Sequence, residues 1–452
     1  MAMSMRRKLE AEEDGRLSPF AIRSSTAKRR HAVESDGRAF DYRTAFQRDR
    51  DRIVYSRAFR RLRQKAQTGI LPAYEDHRRN RLTHTLEVVQ LSRTIGRALD
   101  LNEDLIEAIA MGHDLGQPPF GPIGESVLDE LLGGALDGRG GPGLGDIGGF
   151  WRSWQGLRVV DLLEKRYAHP GLNLTDPVRE GILKSGSIGR TPPEDAECVG
   201  AGLAPGFEAQ VVVLADRIAS SLSDLDDALQ AGVLEPAQAE RLEAVRELRR
   251  KLGGRYPARA GRFMKANAIH RGLTHMLVTG AILNSGRTLA RWAKEHCVND
   301  PGSFGRIDPK AIDGKEIELS AVGSRLLEGI DRFLEARVRT GYEPDRSEAR
   351  GRRVLLGLFA AYHIDPRLLE DHVLFRYREI AGGRYLRDLG RPQVDTEISR
   401  RYRPDPRFAR LVADYLAGMT DVYAIREHSR LREIGAIPIP GVEQLRREEE
   451  TR

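Results

Sequence analysis

The stretch AIAMGHDLGQPPFGPIGE at residues 108–125, together with RNRLTHTLEVVQLSR at residues 79–93, decides the fold class. Apolar residues in both stretches recur at the three- and four-residue intervals of a helix with one buried face. Between them, Asn102 is a suitable helix N-cap, and the acidic residues that follow it suit a first helical turn. We expect this helix to continue to His113 and Asp114 and to end at the glycine shortly after them.

The same helical spacing recurs along most of the chain. Between residues 83 and 99 it places Leu86, Val89 and Ala98 among the apolar positions. Alternating strand patterns are scarce, so the sequence predicts an all-α fold with at most a small β-hairpin. Further helices are predicted at residues 155–167, 176–184, 207–229, 236–252, 268–296, 320–340, 352–362 and 406–434.

The composition limits the class of protein. The 452 residues are 40% hydrophobic and 31% charged, which is typical of neither membrane nor disordered proteins. Because no apolar run reaches the length of a membrane span and the N-terminus lacks a signal-peptide core, we expect a soluble, cytoplasmic protein. Two cysteines, Cys198 and Cys297, exclude a disulfide framework. The net charge of +7 is modest and spread along the chain, so nucleic-acid binding is the weaker interpretation.

Two segments interrupt the helical pattern. Residues 1–40 are polar and basic, and we expect an arm that becomes ordered only by packing on the body. Residues 133–149 (GGALDGRGGPGLGDIGG) contain nine glycines, which raise the entropic cost of ordering. No Gly-Lys-Ser/Thr sequence follows them, so they are not a P-loop, and we expect an irregular or mobile surface loop.

Four polar residues lie in helical surroundings that do not otherwise require them: His84, His113, Asp114 and Asp216. Any one of them alone is more simply a hydrogen-bonded core or surface residue. Together, two neutral imidazoles and two carboxylates form a borderline-hard ligand set. Such a set suits Mn²⁺, Fe²⁺, Mg²⁺ or Zn²⁺ and leaves positions for water and phosphate.

Longer segments carry a family resemblance across most of the chain, at residues 46–68, 79–93, 108–125, 171–184, 208–219 and 414–431. The order His, His-Asp, Asp resembles the HD superfamily of metal-dependent phosphohydrolases, and these segments resemble its deoxyguanosine triphosphate triphosphohydrolase (dGTPase) family. That family folds as a single, mainly α-helical body. Its members split a deoxynucleoside triphosphate into deoxynucleoside and inorganic triphosphate, with water attacking at the α-phosphate. The resemblance implies an HD core at residues 41–250 and a C-terminal helical region at 251–452 packed on it.

The resemblance also implies roles for individual residues. Glu125 matches an acidic residue that the family pairs with a histidine for proton transfer, so Glu125 and Asp114 are the expected catalytic residues. Gln67 matches a glutamine near the nucleotide sugar and base. Basic substrate-binding positions are expected at Arg60, Arg61, Lys65 and Lys184. One divalent metal (Mn²⁺, Mg²⁺ or Fe²⁺, with Zn²⁺ as a further candidate) is expected on His84, His113, Asp114 and Asp216.

Several polar site positions of the family hold other residues here: Gln117, Pro122, Arg152, Ser185 and Ser223. Pro122 replaces a histidine implicated in the chemistry, and proline has no titratable group. These changes predict weak activity on dGTP and a selectivity different from the family's. The alternatives are an HD phosphohydrolase with another phosphoester substrate, or a catalytically impaired nucleotide-binding regulator. The family resemblance further implies an even-numbered homo-oligomer.

Overall fold

The computed structural model describes residues 5–31, 42–67, 79–137, 141–186 and 203–433. Within these ranges the regular structure is helical, and pairing between extended segments consists of isolated bridges, among them Arg29 with Thr175 and Lys165 with Gly171. The predicted all-α class is therefore confirmed. No helix in these ranges is long and apolar enough to cross a membrane.

The helices are numbered in chain order. They are α1 Met5–Arg16, α2 Ala45–Val54, α3 Arg57–Arg61, α4 Arg81–Ala98, α5 Glu103–Gly112, α6 Pro122–Leu132, α7 Arg152–Arg158, α8 Asp176–Lys184, α9 Phe207–Ala231, α10 Pro236–Ala239, α11 Glu243–Leu252, α12 Arg262–Glu295, α13 Pro301–Phe304, α14 Ala321–Arg337, α15 Tyr342–Ile364, α16 Asp371–Ala381, α17 Arg391–Glu397, α18 Pro406–Ala417 and α19 Asp421–Glu433. Single π-helical turns follow α7 at Val159–Leu163 and α17 at Ile398–Tyr402.

The helices form two compact units, each assembled from separate stretches of chain. The first unit comprises Met1–Arg63, Gln67–Leu115 and Gly156–Pro344. The second comprises Gln64–Ala66, Gly116–Gln155 and Asp345–Arg452. The proposed division into an arm at residues 1–40, an HD core at 41–250 and a C-terminal region at 251–452 stays a prediction.

Helix α5 lies at the centre of the first unit. All of its residues except Asp104 are buried, and it packs against α2, α4, α8 and α9. As predicted, the Asn102 side chain caps it, accepting a hydrogen bond from the Leu105 amide at 3.2 Å. The helix ends at Gly112 rather than at the predicted Asp114, because a turn begins at His113.

Helix α4 packs against α5 and α9. Its buried apolar residues include Val88, Val89 and Ile95. Of the apolar positions predicted for this helix, Val89 is buried, whereas Leu86 and Ala98 are exposed. The neighbouring helices, and not the apolar spacing alone, therefore determine which face of α4 is covered.

The described part of the N-terminal arm, residues 5–31, packs against other residues of the first unit. The sequence pattern did not predict α1, which contains no buried residue. After it, Leu17, Phe20 and Ala21 are buried, and the Ser18 amide donates to Asp100 O at 2.8 Å. Residues 32–41, which include the end of the predicted arm, lie outside the described ranges.

The second unit has its own apolar core, made by α6, α15, α16 and α18 with the segments between them. Its largest fully buried side chains include Tyr362, Tyr377 and Phe408. The described part of the glycine-rich segment is irregular, as predicted. The Asp137 carboxylate accepts hydrogen bonds from the Gly143 and Gly145 amides at 2.7 and 2.6 Å. Residues 138–140 lie outside the described ranges.

Several predicted helices have different bounds in the structure. The predicted helix 236–252 is two helices, α10 and α11, and the described part of 406–434 is divided into α18 and α19. Helix α15 begins ten residues before the predicted start at 352, and α16 and α17 were not predicted. The late start predicted for α15 has a local cause. Polar helical turns such as YEPDRSEARG at 342–351 carry no apolar period from which a helix could be inferred.

Candidate metal centre

The start of α4 positions the first candidate ligand. Asn80 caps the helix, and its side chain and that of Thr83 exchange hydrogen bonds with each other's backbone amides. This capping box fixes the first turn, in which Arg81 is the first helical residue. His84 follows in the next turn and is 1% exposed. A local cap signal in the sequence therefore determines where this histidine lies.

The second helix contributes the adjacent pair His113 and Asp114, directly after the last residue of α5. Both side chains are buried, at 3% and 0% exposure. Together with His84 they form a group whose ligand atoms all lie within 4.8 Å of one another. Donors at this spacing can be shared by one metal ion, so the structure brings together three of the four predicted ligands.

The hydrogen bonding of His113 suits a metal ligand. Its Nδ1 lies 2.7 Å from the carbonyl oxygen of Ala110. Since a carbonyl only accepts, Nδ1 is the donor in this hydrogen bond, which leaves Nε2 as the ring nitrogen available to a metal ion. This buried Nε2 has no hydrogen-bond partner among the described residues. A buried acceptor in this state costs free energy unless a ligand meets it, and metal-bound histidines commonly show this arrangement.

Asp216, on α9, borders the same group. Its Oδ1 lies 2.9 Å from His84 Nε2 and 3.8 Å from His113 Nε2. Ser220, one turn later on the same helix, donates to this oxygen at 3.3 Å. The donor set of two imidazoles and two carboxylates therefore fits a divalent metal.

Arg81 is a site residue to which sequence reasoning gave no role. It is 4% exposed, and its Nη1 lies 2.9 Å from Asp114 Oδ2. Its Nη2 lies 3.5 Å from the Gln67 carbonyl oxygen. The signal was its position three residues before His84 in RLTH, which places both near the start of one helix. A buried guanidinium–carboxylate pair of this kind orients the carboxylate strongly.

Further carboxylates follow Asp216 along α9. Burial raises the pKa of Asp224, although Arg339 lies 2.8 Å away and opposes the rise. Burial also raises the pKa of Asp227, to about 6, against the opposing charge of Arg79. This half of α9 therefore carries buried carboxylates that depend on arginine partners.

The predicted substrate residues of the first unit lie in different surroundings. Gln67 is buried, and its Oε1 has no hydrogen-bond partner among the described residues. Arg60 and Arg61 are exposed on α3. Lys184 is buried, and its ammonium contacts Glu180 and donates to Ala204 O at 3.0 Å. Of these residues, Gln67 has a main-chain contact with Arg81 and so lies beside the metal group.

The remaining predicted residues belong to the second unit. Lys65 is buried and donates to the carbonyl oxygens of Gln117 and, at 2.8 Å, Ala417. Glu125 lies in the first turn of α6, and its Oε1 accepts a hydrogen bond from the Arg152 amide at 2.9 Å. The roles assigned to Lys65 and Glu125 stay predictions.

Three of the substituted positions have defined structural roles. Pro122 is the exposed first residue of α6, a position that proline favours because it needs no amide donor there. Ser185 donates to Ile182 O at 2.9 Å, and Ser223 donates to Glu87 Oε2 at 2.6 Å. Pro122 therefore begins a helix, and the two serines form hydrogen bonds with neighbouring residues.

Comparison with known proteins agrees with this geometry. Residues 81–137, which contain three of the candidate ligands, match a family model described as HD domain, and residues 383–430 match one described as phosphohydrolase-associated domain. Full-length relatives carry the name deoxyguanosinetriphosphate triphosphohydrolase-like protein. One from Azoarcus sp. (strain BH72) is 36% identical over 427 residues, covering 93% of this chain and 98% of the relative.

Two further relatives match equally broadly. The protein from Bordetella pertussis is 36% identical over 418 residues, covering 91% of this chain and 95% of its own length. The deoxyguanosinetriphosphate triphosphohydrolase-like protein 1 from Deinococcus radiodurans is 35% identical over 437 residues, covering 95% of this chain and all of its own length. The chain therefore belongs to the deoxyguanosinetriphosphate triphosphohydrolase-like family of HD-domain phosphohydrolases, as a divergent member.

Proposed function

We propose that this protein is a metal-dependent phosphohydrolase that splits a dGTP-like deoxynucleoside triphosphate into deoxynucleoside and inorganic triphosphate. The observation that carries the proposal is the buried group of His84, His113 and Asp114, in which His113 Nε2 has no hydrogen-bond partner among the described residues. The names of the full-length relatives support the substrate class.

His84, His113, Asp114 and Asp216 would hold the ion, and this mixed nitrogen and oxygen set suits Mn²⁺, Mg²⁺ or Fe²⁺, with Zn²⁺ as a further candidate. When bound, a divalent metal lowers the pKa of water and offsets phosphate charge. The protein's own contribution is orientation. Arg81 fixes the Asp114 carboxylate from one side, and Ala110 O fixes the His113 ring. We assign proton transfer to Glu125, whose carboxylate is oriented by the Arg152 amide.

Turnover with defined substrates tests this proposal. Purified protein is incubated with Mn²⁺ and each nucleoside or deoxynucleoside triphosphate in turn, and nucleoside and triphosphate are detected by chromatography and ³¹P NMR. We expect deoxynucleoside and intact triphosphate. His113→Ala should lose bound metal and turnover together. His363→Ala is a matched control, since His363 is also buried but packs between Phe359 and Phe408 in the second unit. Release of diphosphate or monophosphate would contradict the proposed reaction.

We further propose that dGTP is a poor substrate, because proline at position 122 cannot transfer a proton. Loss of one general acid or base typically costs roughly 10²–10⁴ in rate. Pro122→His should therefore increase kcat on dGTP, whereas Pro122→Ala, which also removes the proline ring, should not. Rapid dGTP hydrolysis by the unmodified protein, with no gain in Pro122→His, would show that the substitution is structural only.

A further inference from the structure

Arg79 lies immediately before the N-cap of α4 and contacts three carboxylates. Its Nε lies 3.0 Å from Glu87 Oε1, and its Nη2 lies 2.9 Å from Asp226 Oδ2. Its Nη1 contacts Asp227 Oδ1 and lies 3.5 Å from the Ser223 carbonyl oxygen. The guanidinium is mostly buried, with 18% of the side chain exposed. Each of its three nitrogens therefore has an acceptor.

The three carboxylates that Arg79 contacts lie on the two helices that carry His84 and Asp216. Glu87 lies on α4, three residues after the candidate ligand His84. Asp226 and Asp227 lie on α9, about three helical turns after the candidate ligand Asp216. Arg79 thus joins the two helices whose ligand side chains meet at 2.9 Å. A hydrogen bond also joins the two helices, since Ser223 of α9 donates to Glu87 of α4.

The negative charges at the contact between α4 and α9 require the positive charge of Arg79. Asp226 and Asp227 are adjacent carboxylates, and each lies at ion-pair distance from Arg79. Burial and the repulsion from Asp226 and Asp224 favour the neutral form of Asp227, and Arg79 opposes both. A planar guanidinium can direct donors toward three acceptors at fixed angles, whereas a lysine ammonium offers one point charge. Removing Arg79 would leave like charges facing one another at the contact between α4 and α9.

We propose that Arg79 is a positioning residue for the metal group: it fixes the register of α4 on α9, so that His84 faces Asp216. This inference rests on the proposed metal site but assigns a role to a residue that binds neither metal nor substrate. The simpler alternative is an ion-pair network that contributes stability and has no effect on the geometry of the metal group.

The test compares Arg79→Gln and Arg79→Lys with a control arginine of similar bonding. Arg179 is buried on α8 in the same unit, and its guanidinium contacts Asp161 at 2.7 Å and Asp176 at 2.9 Å. It lies on neither α4 nor α9. Arg179→Gln therefore measures what the loss of a buried, doubly paired arginine does to stability alone.

Three measurements are made on each full-length protein. The Mn²⁺ dissociation constant is measured by electron paramagnetic resonance, and the visible spectrum of the Co²⁺-loaded protein reports ligand geometry. In the metal-free protein, hydrogen exchange of the first amides of α4 reports whether this helix is still held on α9. Circular dichroism and denaturant unfolding identify any variant that fails to fold, and Arg79→Lys is the milder change should Arg79→Gln do so.

We expect Arg79→Gln to weaken Mn²⁺ binding about 10–100-fold, the range found for residues that orient metal ligands. Its Co²⁺ spectrum should shift and its α4 amides should exchange faster, with Arg79→Lys intermediate in all three measurements. Arg179→Gln should keep the unmodified protein's affinity and spectrum despite its loss of stability. Unchanged Mn²⁺ affinity and Co²⁺ spectrum in Arg79→Gln, or equal losses in Arg179→Gln, would overturn the inference. If the unmodified protein binds no divalent metal, the proposed metal site fails first and the inference fails with it.

Discussion

Glu208 should make the attachment of the N-terminal arm depend on pH. This residue lies fully buried in the first turn of α9. Its Oε1 accepts hydrogen bonds from the Ile22 amide at 2.9 Å and the Asn102 amide at 3.4 Å, while its Oε2 has no hydrogen-bond partner among the described residues. Burial raises the pKa of Glu208 to about 7, and the two amides only partly oppose the rise. The carboxyl group therefore connects the arm to α9 and also titrates near neutral pH.

The magnitude follows from linkage. A rise from the ordinary value of 4.5 to about 7 corresponds to about 3 kcal/mol. Because the pKa of the folded state is the higher one, this stabilisation is fully present below pH 4.5 and is lost as the pH rises through about 7. Between about pH 5.5 and about pH 8 the loss is about 2 kcal/mol, or roughly a 30-fold change in the equilibrium for release of the arm.

Hydrogen exchange of the Ile22 amide measures this equilibrium, after correction for the intrinsic pH dependence of exchange. Glu208→Gln keeps the accepting oxygen but cannot ionise, so its protection should be nearly independent of pH over this range. Glu316→Gln is the control, because Glu316 is a buried carboxylate that binds the Asp313 and Gly314 amides elsewhere in the same unit. If Glu208→Gln loses protection with rising pH as steeply as the unmodified protein, the assigned origin of the pH dependence is wrong.

Three further outcomes are expected. Gly181→Ala should destabilise the protein by about 1–3 kcal/mol in denaturant unfolding, because its new Cβ would lie 2.5 Å from Ile109 Cγ1, whereas Gly280→Ala meets nothing within 4 Å and should be neutral or stabilising. Glu125→Gln should lower kcat roughly 10²–10⁴-fold with little change in metal content, and similar kcat values for the variant and the unmodified protein would remove Glu125 from proton transfer. Light scattering should show an even-numbered homo-oligomer, and a stable monomer at micromolar concentration would rule this out.

Most of the helical architecture could be predicted from the sequence wherever its signals are local. The Asn102 cap and the helix Asp176–Lys184 were predicted correctly, because capping and apolar period are properties of a few consecutive residues. The N-terminal helix was missed because no comparable signal marks it, whereas α16 has apolar residues at helical spacing, among them Val373, Leu374 and Tyr377, and could have been predicted. The exposure of Leu86 could not be predicted either, because it depends on where α5 and α9 pack.

The candidate ligands could be predicted for a different reason. Imidazole and carboxylate groups are common metal ligands, so His84, His113 and Asp114 could be selected as candidates by residue type and order before their proximity was known. The resemblance to HD proteins then reduced the alternatives to one set. What neither could provide is the orientation of each ligand, because the Ala110 carbonyl bound to His113 is a backbone group with no sequence signature.

The contacts of the arginines near the site are a further feature that could not be predicted from the sequence. In the sequence, Arg79 and Arg81 belong to one basic stretch before His84, and nothing in that stretch distinguishes the two residues. In the structure they have separate carboxylate partners, since Arg81 contacts Asp114 while Arg79 contacts α9 through Asp226 and Asp227. A guanidinium that is paired with carboxylates has fewer N–H donors left for other acceptors. Arg79 therefore joins α4 to α9, and Arg81 joins α4 to the turn after α5, so both arginines connect segments that carry candidate metal ligands.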